Sequence, residues 1–340
     1  MTASSRLLLD AGSGGQASHR LVADLFLKHF DNPVLAVMDD AARLHLSGPV
    51  AMSTDGFIVD PIIFPGGNIG SLAVHGTVND VAMLGARPRY LTAGFILEEG
   101  LDMAVLETIV AAMGQAARDA GVQIVAGDTK VAPKGALDKI FITTTGIGEI
   151  LVDPAPSGHR ARPGDAVLLS GTMGDHGLAI LSTRQGLAFE TPIVSDCASL
   201  NGLVESLITT LPDVHTLRDP TRGGLATTLN EIASQSGVVV EVEEEAIPVH
   251  PAVAAGCSFL GLDPLYLANE GKLLCIVPEA DAEHALALLR AHPLGGNAAR
   301  IGTIQEPQGK TRAGQVLLRT PLGGRRLLGM LEGEQLPRIC

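Results

Sequence analysis

The stretch 151–165, LVDPAPSGHRARPGD, constrains this chain more than any other feature. It holds three Pro and two Gly. Proline cannot donate to a helix or a sheet ladder and restricts the residue before it, so the stretch belongs to neither. It divides the 340 residues into parts of ordinary domain size, expected at 1–152 and 160–330, with a tail at 331–340. Apolar residues make up 46% of the chain, but aromatics only 3%, and Trp is absent. Both cores must therefore be built from Val, Ile, Leu and Ala.

In the first part, residues 12–15 (Gly-Ser-Gly-Gly) are too Gly-rich for regular structure. Ser18 opens a helical pattern, with Leu21, Val22, Leu25, Phe26 and Phe30 on one face. A strand is expected around 51–59, with Ser53-Thr54-Asp55 as a polar corner. Residues 64–68 form a turn, and Asn68 caps a helix to about Gly85. Small residues (Gly70, Ser71, Ala73, Gly76, Ala82) cover much of that helix and predict close approach by another backbone or a ligand. Asp102 caps a helix over 103–120 that Gly121 ends. Strands follow at 122–126, leading into Gly127-Asp128-Thr129-Lys130, and at 139–146. Beyond 165, strands (166–169, 238–242, 273–277, 299–304, 316–319) alternate loosely with helices (after Asp175, 197–210, 223–235, after Pro251, 280–290). The pattern is α+β or α/β.

The net charge is −13, which argues against a broad nucleic-acid surface. The four Cys (Cys197, Cys257, Cys275, Cys340) have no C-x-x-C spacing, and so few fit a reducing compartment. No leader-type segment and no long uncharged apolar run is evident, so a cytoplasmic protein with no membrane span is expected. P-loop, dinucleotide-binding, Gly-x-Ser-x-Gly and His-Glu-x-x-His motifs are all absent.

What remains is a set of acids beside small residues at element ends. They are Asp39-Asp40, Ser53-Thr54-Asp55, Asn79-Asp80, Gly127-Asp128-Thr129-Lys130 and Asp219-Pro220-Thr221-Arg222-Gly223-Gly224. Each Asp is either a turn former or helix cap, or part of a converging set. Converging carboxylates repel unless a cation sits between them, a need that Mg²⁺ bridged to triphosphate oxygens meets. Lys130 adds a point charge for phosphate. Thr221 either caps the following helix or helps its N–H groups to hold phosphate. Glu270, in Ala268-Asn269-Glu270-Gly271-Lys272, is either an exposed loop acid or a buried carboxylate able to act as a general base. His75 and His176 have no second His at ligand spacing and read as ordinary hydrogen-bonded histidines.

Cys340 stands last, on the Pro-stiffened stretch Leu336-Pro337-Arg338-Ile339. A prenylation signal needs three residues after its Cys, so none is expected. An exposed thiol there is a potential nucleophile; its terminal carboxylate is expected to raise the pKa and Arg338 to offset the rise.

These segments together resemble the HypE-type hydrogenase maturation proteins, a family of the aminoimidazole ribonucleotide synthetase-related ATP-binding superfamily. The matching runs are GSGG (12–15), STDGFIVDP (53–61), FPGGNIGSLAVHGTVND (64–80), GFILEEGL (94–101), GDTKV (127–131), SGTMGDHG (170–177), DPTRGG (219–224), LGLDPLYLANEGK (260–272) and PRIC (337–340). Two positions depart: Ala11 stands where the family usually has His, and His75 where it often has Cys.

The resemblance implies a two-domain α+β fold with a β-rich, ATP-binding and dimerising N-terminal domain, a C-terminal α/β domain and a mobile tail. It implies a homodimer paired through β-sheet, with ATP in a groove at that interface. A HypF-type carbamoyltransferase would carbamoylate Cys340. ATP-dependent dehydration would then give a thiocyanate, and the cyanide would pass to iron on a HypC–HypD-type complex. By resemblance Asp40, Asp55, Asp80 and Asp219 hold Mg²⁺ and phosphate. Asn79, Asp128 and Thr129 lie near the nucleotide, and Lys130 and Glu270 lie beside the thiocarboxamide. The tail is expected to swing between the ATP site and a partner, its inward state favoured by ATP. The competing readings are another ATP enzyme of the superfamily, such as a small-molecule kinase or selenophosphate synthetase, and a non-catalytic ATP-dependent scaffold. Neither competing reading requires chemistry at Cys340.

Overall fold

The computed structural model describes residues 6–12, 15–38, 41–187, 189, 191–333 and 336–340. Asp39 and Asp40, and Ser13 and Gly14 of the glycine-rich loop, lie outside them.

The first part is built on four strands, β1 (Val50–Phe57), β2 (Ala86–Glu98), β3 (Gln123–Ala132) and β4 (Ile140–Ile150). They form one sheet in the order β1-β4-β2-β3, with only the β2/β3 pair parallel. β2 was not evident in the sequence, because Pro88 interrupts its pattern. The structure accommodates Pro88 at a register shift between Pro88 and Tyr90, where the ladder is already broken. β3 runs through Gly127–Lys130 rather than ending before them.

Two helices cover the inner face of this sheet, α1 (Ile69–Met83) and α2 (Met103–Ala120). Asn68 caps α1 in a full capping box: its side chain accepts from Gly70 and Ser71 N–H, and Ser71 returns a bond to the Asn68 backbone. Asp102 caps α2, and Gly121 closes it at φ +70°. α1 is buried along most of its length, because it is covered on both sides. Ala73, Val74 and Val78 join the core of the first sheet, whereas Ala82 and Met83 pack with Leu203 and Leu207 of the second part. The helical stretch expected from Ser18 starts at Gly15 and has a π-type turn at Val22–Phe26; Leu21, Leu25, Phe26 and Phe30 are buried.

After the 151–165 segment the chain forms β5 (Ala166–Leu169), α3 (Asp175–Gln185), α4 (Asn201–Thr210), β6 (Thr216–Arg218), α5 (Gly224–Ser236) and β7 (Val239–Glu243). It continues through α6 (Pro251–Leu260), β8 (Leu274–Val277), α7 (Ala282–Ala291), β9 (Ala299–Gln305), β10 (Gln315–Arg319) and β11 (Arg325–Leu327). The seven strands are ordered β11-β10-β7-β9-β5-β8-β6. β5 and β8 are buried throughout, and aliphatic clusters lie on the two sides of the sheet. The short β6 and β11 were not anticipated; at three residues each, neither shows a period.

The small residues of α1 have a measurable purpose. A Cβ on Gly70 would lie 2.3 Å from the Ile109 carbonyl oxygen of α2, so the two helices cross too closely for any side chain there. Gly70→Ala should destabilise the fold by about 1–3 kcal/mol through forced separation of the helices. Urea denaturation would show it as a lower midpoint; an unchanged midpoint would mean the crossing can relax freely.

Candidate functional site: an acidic cleft around Cys340

Strand alternation and helix spacing bring distant acids together. Ser53 and Asp55 alternate with the outward Met52 and Thr54 on β1, and Asp80 projects from α1. Ser53 Oγ donates to Asp80 Oδ2 at 2.7 Å. In the second sheet β6 pairs antiparallel with β8, Arg218 facing Leu274. The residues just after β6 (Asp219, Thr221, Arg222) and just before β8 (Glu270) therefore emerge at the same edge. Asn269 ties the two segments: its N–H and its Nδ2 both donate to Pro220 O, at 3.1 and 3.0 Å.

A cleft of about 150 Å³ is lined by Thr54, Asp55, Gly76, Asp80, Asp219, Thr221, Arg222, Glu270 and Cys340. Glu270 is 3% exposed, and its Oε1 has no hydrogen-bond partner. Its backbone is fixed instead: Glu270 and Gly271 N–H donate to the Asp196 carboxylate at 3.1 and 3.2 Å, and Lys272 Nζ donates to it at 3.1 Å. Gly271 permits this closeness, since a Cβ there would lie 1.8 Å from Asp196 O.

Cys340 reaches the cleft because the tail lies along residues 58–60. Ile58 N–H donates to Cys340 O and Asp60 N–H to Arg338 O, both at 3.1 Å, in the antiparallel sense. Ile339 is buried in the first core. The tail thus lies docked in this structure, with Cys340 at the cleft.

The sequence matches the AIR synthase related protein N-terminal domain over residues 38–150 and the C-terminal domain of the same description over 162–314. It is 54% identical over 339 residues to carbamoyl dehydratase HypE of Cupriavidus necator, covering 99% of this chain and 95% of that one. Identity to carbamoyl dehydratase HypE of Escherichia coli is 47% over 342 residues, covering 99% and 100%. The chain belongs to the HypE carbamoyl dehydratases. Among solved structures, a hydrogenase maturation protein HypE in complex with ATP superposes with TM-score 0.96 at 70% identity, covering 98% of this chain and 100% of that one. A HypE–HypF complex gives 0.79 at 47% identity, covering 92% and 99%. A thiamine-monophosphate kinase at 22% identity shares the fold alone, with TM-score 0.65.

Within this HypE-family chain the expected residues divide into groups. Asp55, Asp80, Asp219, Glu270 and Cys340 meet in the cleft. Asn79 does not open into it: Nδ2 donates to Ala198 O at 3.0 Å and Oδ1 accepts from Leu200 N–H at 2.7 Å, so its side chain clamps the 198–200 loop. Asp128, Thr129 and Lys130 lie on β3, at the opposite edge of the sheet from β1. There they line a separate, largely apolar cavity of about 320 Å³ under the N-terminal helical stretch, beside Ala11 and Phe95. Lys130 pairs with Asp128 at 2.8 Å on an exposed surface. Thr221 does not cap α5; the residue at that position is Gly223, in the left-handed region. Asp40 lies outside the described residues.

Both histidines are hydrogen-bonded. His75 Nδ1 meets Ser199 Oγ at 2.6 Å, and burial lowers its pKa to about 4. His176 Nδ1 meets Ser195 Oγ, and its Nε2 meets Ile339 O of the tail, both at 2.8 Å. Arg338 does not face the thiol as expected: its Nη1 donates to Asp138 at 2.6 Å. Arg222 is the guanidinium that favours the thiolate, against burial and Glu270, which push the Cys340 thiol well up. Asp196, Arg222 and Arg184 went unremarked in the sequence as site residues, although Arg222 lies inside DPTRGG.

Crowded negative charge dominates the cleft. Burial, and then Asp219, hold Glu270 well above the usual carboxylate range. Burial raises Asp80, with Asp55 adding to it and Ser53 opposing. Burial and Asp80 lift Asp219 to about 7. Among the described residues, no three His, Cys, Asp or Glu side chains close on one point as a metal cage. The donors suit a hard cation in oxygen chemistry and charge, but phosphate oxygens would have to complete its shell.

The charge crowding has a pH signature. Asp219 binds its proton more tightly folded than unfolded, so stability falls as pH rises from about 4 through about 7. Asp219→Asn removes that fall. Without divalent cations the variant should match the parent at about pH 4 and below and exceed it near pH 8 by about 1–2 kcal/mol, a value reduced because water reaches the cleft. Urea denaturation at both pH values checks this; a variant less stable at high pH would show that Asp219 is not under repulsion.

Proposed function

We propose that the cleft dehydrates an S-carbamoyl group carried on Cys340 to a thiocyanate at the expense of ATP, supplying the cyanide ligand for [NiFe]-hydrogenase iron. The observation that carries this reading is the convergence of the docked Cys340 with Glu270, a buried carboxylate whose Oε1 has no partner. A small-molecule kinase or a scaffold has no use for its own cysteine in that position.

The chemistry sets what each residue must do. The carbamoyl oxygen is a poor leaving group until it is phosphorylated. Its attack on the terminal phosphate of ATP releases ADP and one N–H proton, leaving an imidate. Loss of the second N–H proton, together with phosphate, closes the C≡N bond. In this scheme Glu270, which lines the same cleft as Cys340, takes the proton from that nitrogen, and its surroundings favour the protonated product state. Arg222 stands beside Cys340 to balance charge gathering on the phosphorylated oxygen. Mg²⁺ would supply the positive charge that lets Asp55, Asp80 and Asp219 ionise together.

Lys130 fits this scheme only from a second copy. The outer face of the first sheet carries the exposed Met52 and Ile96 beside the part-buried Tyr90, Phe141 and Ile147. Register sets Lys130 next to Ile96 and Asp128 next to Gly94 on that face. Two such faces packed across a twofold axis would bury them and carry β3 of one chain toward β1 of the other, with ATP between. The chain then acts as a homodimer. A HypF-type carbamoyltransferase loads the tail, and a HypC–HypD-type iron complex receives the cyanide. Met52→Asp should convert the dimer to monomer by light scattering; a dimer that persists would place the interface elsewhere.

Intact-mass measurement tests the chemistry. After carbamoylation, ATP should remove the mass of one water from the peptide bearing Cys340. Glu270→Gln should still accept the carbamoyl group but dehydrate it about 10²–10⁴-fold more slowly. Cys340→Ser should gain no such modification. Dehydration at the parent rate in Glu270→Gln would remove Glu270 as the base.

A further inference from the structure

Besides its pairing with residues 58–60 and the Arg338–Asp138 contact, the tail is gripped at three backbone carbonyls by side chains of one helix. From α3, Arg184 Nη1 donates to Pro337 O and Nη2 to Arg338 O, both at 2.7 Å. Its Nε donates to Asp60 O at 2.8 Å, so one guanidinium joins the tail to the strand extension beneath it. Among the described residues no carboxylate pairs with Arg184 within salt-bridge distance: its three hydrogen-bond partners are all carbonyls.

Two turns toward the start of the same helix, His176 bonds Ile339 O. A carbonyl oxygen only accepts, so Nε2 carries the proton and Nδ1 accepts from the Ser195 hydroxyl. Ser195 Oγ in turn accepts from Cys197 N–H at 3.1 Å. The neighbouring Asp196 holds the Glu270 and Gly271 N–H groups. A continuous chain of bonds therefore runs from the tail carbonyl, through His176 and Ser195, to the loop that positions Glu270. The spacing between thiol and carboxylate is set by these contacts, none of which touches the reacting atoms.

We propose that Arg184 and His176 are tail-positioning residues, and that the clasp they form divides the tail between dehydration inside the cleft and carbamoylation by a partner outside it. This rests on the dehydration reading above. A tighter clasp favours the inner reaction, because a group held within reach reacts as if highly concentrated. It opposes the outer one, because a partner can act only on the fraction of tails released.

The test compares the full-length chain with Arg184→Ala and Arg184→Lys in three measurements. N-ethylmaleimide labelling of Cys340, followed by intact mass with Cys340→Ala as blank, reads tail release directly and needs no catalysis. Arg184→Ala should label at least about tenfold faster, the loss expected from two or more charge-assisted bonds, and Arg184→Lys should fall between. Single-turnover dehydration of the carbamoylated chain should slow about tenfold or more, whereas carbamoylation by a HypF-type partner should speed up. Opposite movement of the two reactions is something general destabilisation would not give. If Arg184→Ala proves unstable, Arg184→Gln keeps the length without the charge and carries the same expectation. Labelling at the parent rate overturns the clasp, as does a joint fall in both reactions. Failure of the parent chain to dehydrate at all, with labelling as expected, would instead overturn the dehydration reading.

Discussion

The structure turns on the short connection 195–200, because Glu270, helix α1 and the tail are all hung from it. Asp196 gathers two backbone N–H groups and an ammonium at the entry to β8, which holds Glu270 beneath the cleft. Asn79 of the first domain clamps Ala198 O and Leu200 N–H. His75 of the same helix binds Ser199, and Ser195 binds the histidine that meets the tail. Helix α1, the second sheet and the tail are thus referred to one segment. Buried polar groups left without partners are costly, so these bonds fix the two domains in a single relation.

That arrangement carries a burden of like charge. Four carboxylates and a thiol share a cavity of about 150 Å³, and only Arg222 among its lining residues is cationic. A site at rest in this condition is destabilised toward anything positive that enters. Stability held elsewhere, in the aliphatic cores above and below the second sheet, makes that tolerable.

Much of this was legible in the amino-acid order, and the limits have physical reasons. Local signals read well: the Asn68 and Asp102 caps, the Gly121 stop and the buried 166–169 strand are set by neighbours in sequence. The convergence of Asp55, Asp80, Asp219 and Glu270 could be suspected from charge, but strand pairing is what brings them together. Lys130 shows the converse. Its Gly-Asp-Thr-Lys setting reads like the others, yet the strand order places it at the far edge of the sheet. Asn79, placed near the nucleotide by resemblance, has its side chain turned by the helix onto the 198–200 loop, a contact that no local signal announces. Arg184 carried no signal, since its partners are carbonyls, which every residue has.

The same property of the clasp has a consequence for traffic. Arg184 and His176 grip the peptide backbone and leave the Cys340 sulfur untouched. Their hold is the same for a bare thiol, a carbamoylated one or a thiocyanate: it fits the handle, not the load. Such a grip cannot tell substrate from product. The order of events must then be written by the contents of the cleft, with each change of charge there deciding when the handle is let go.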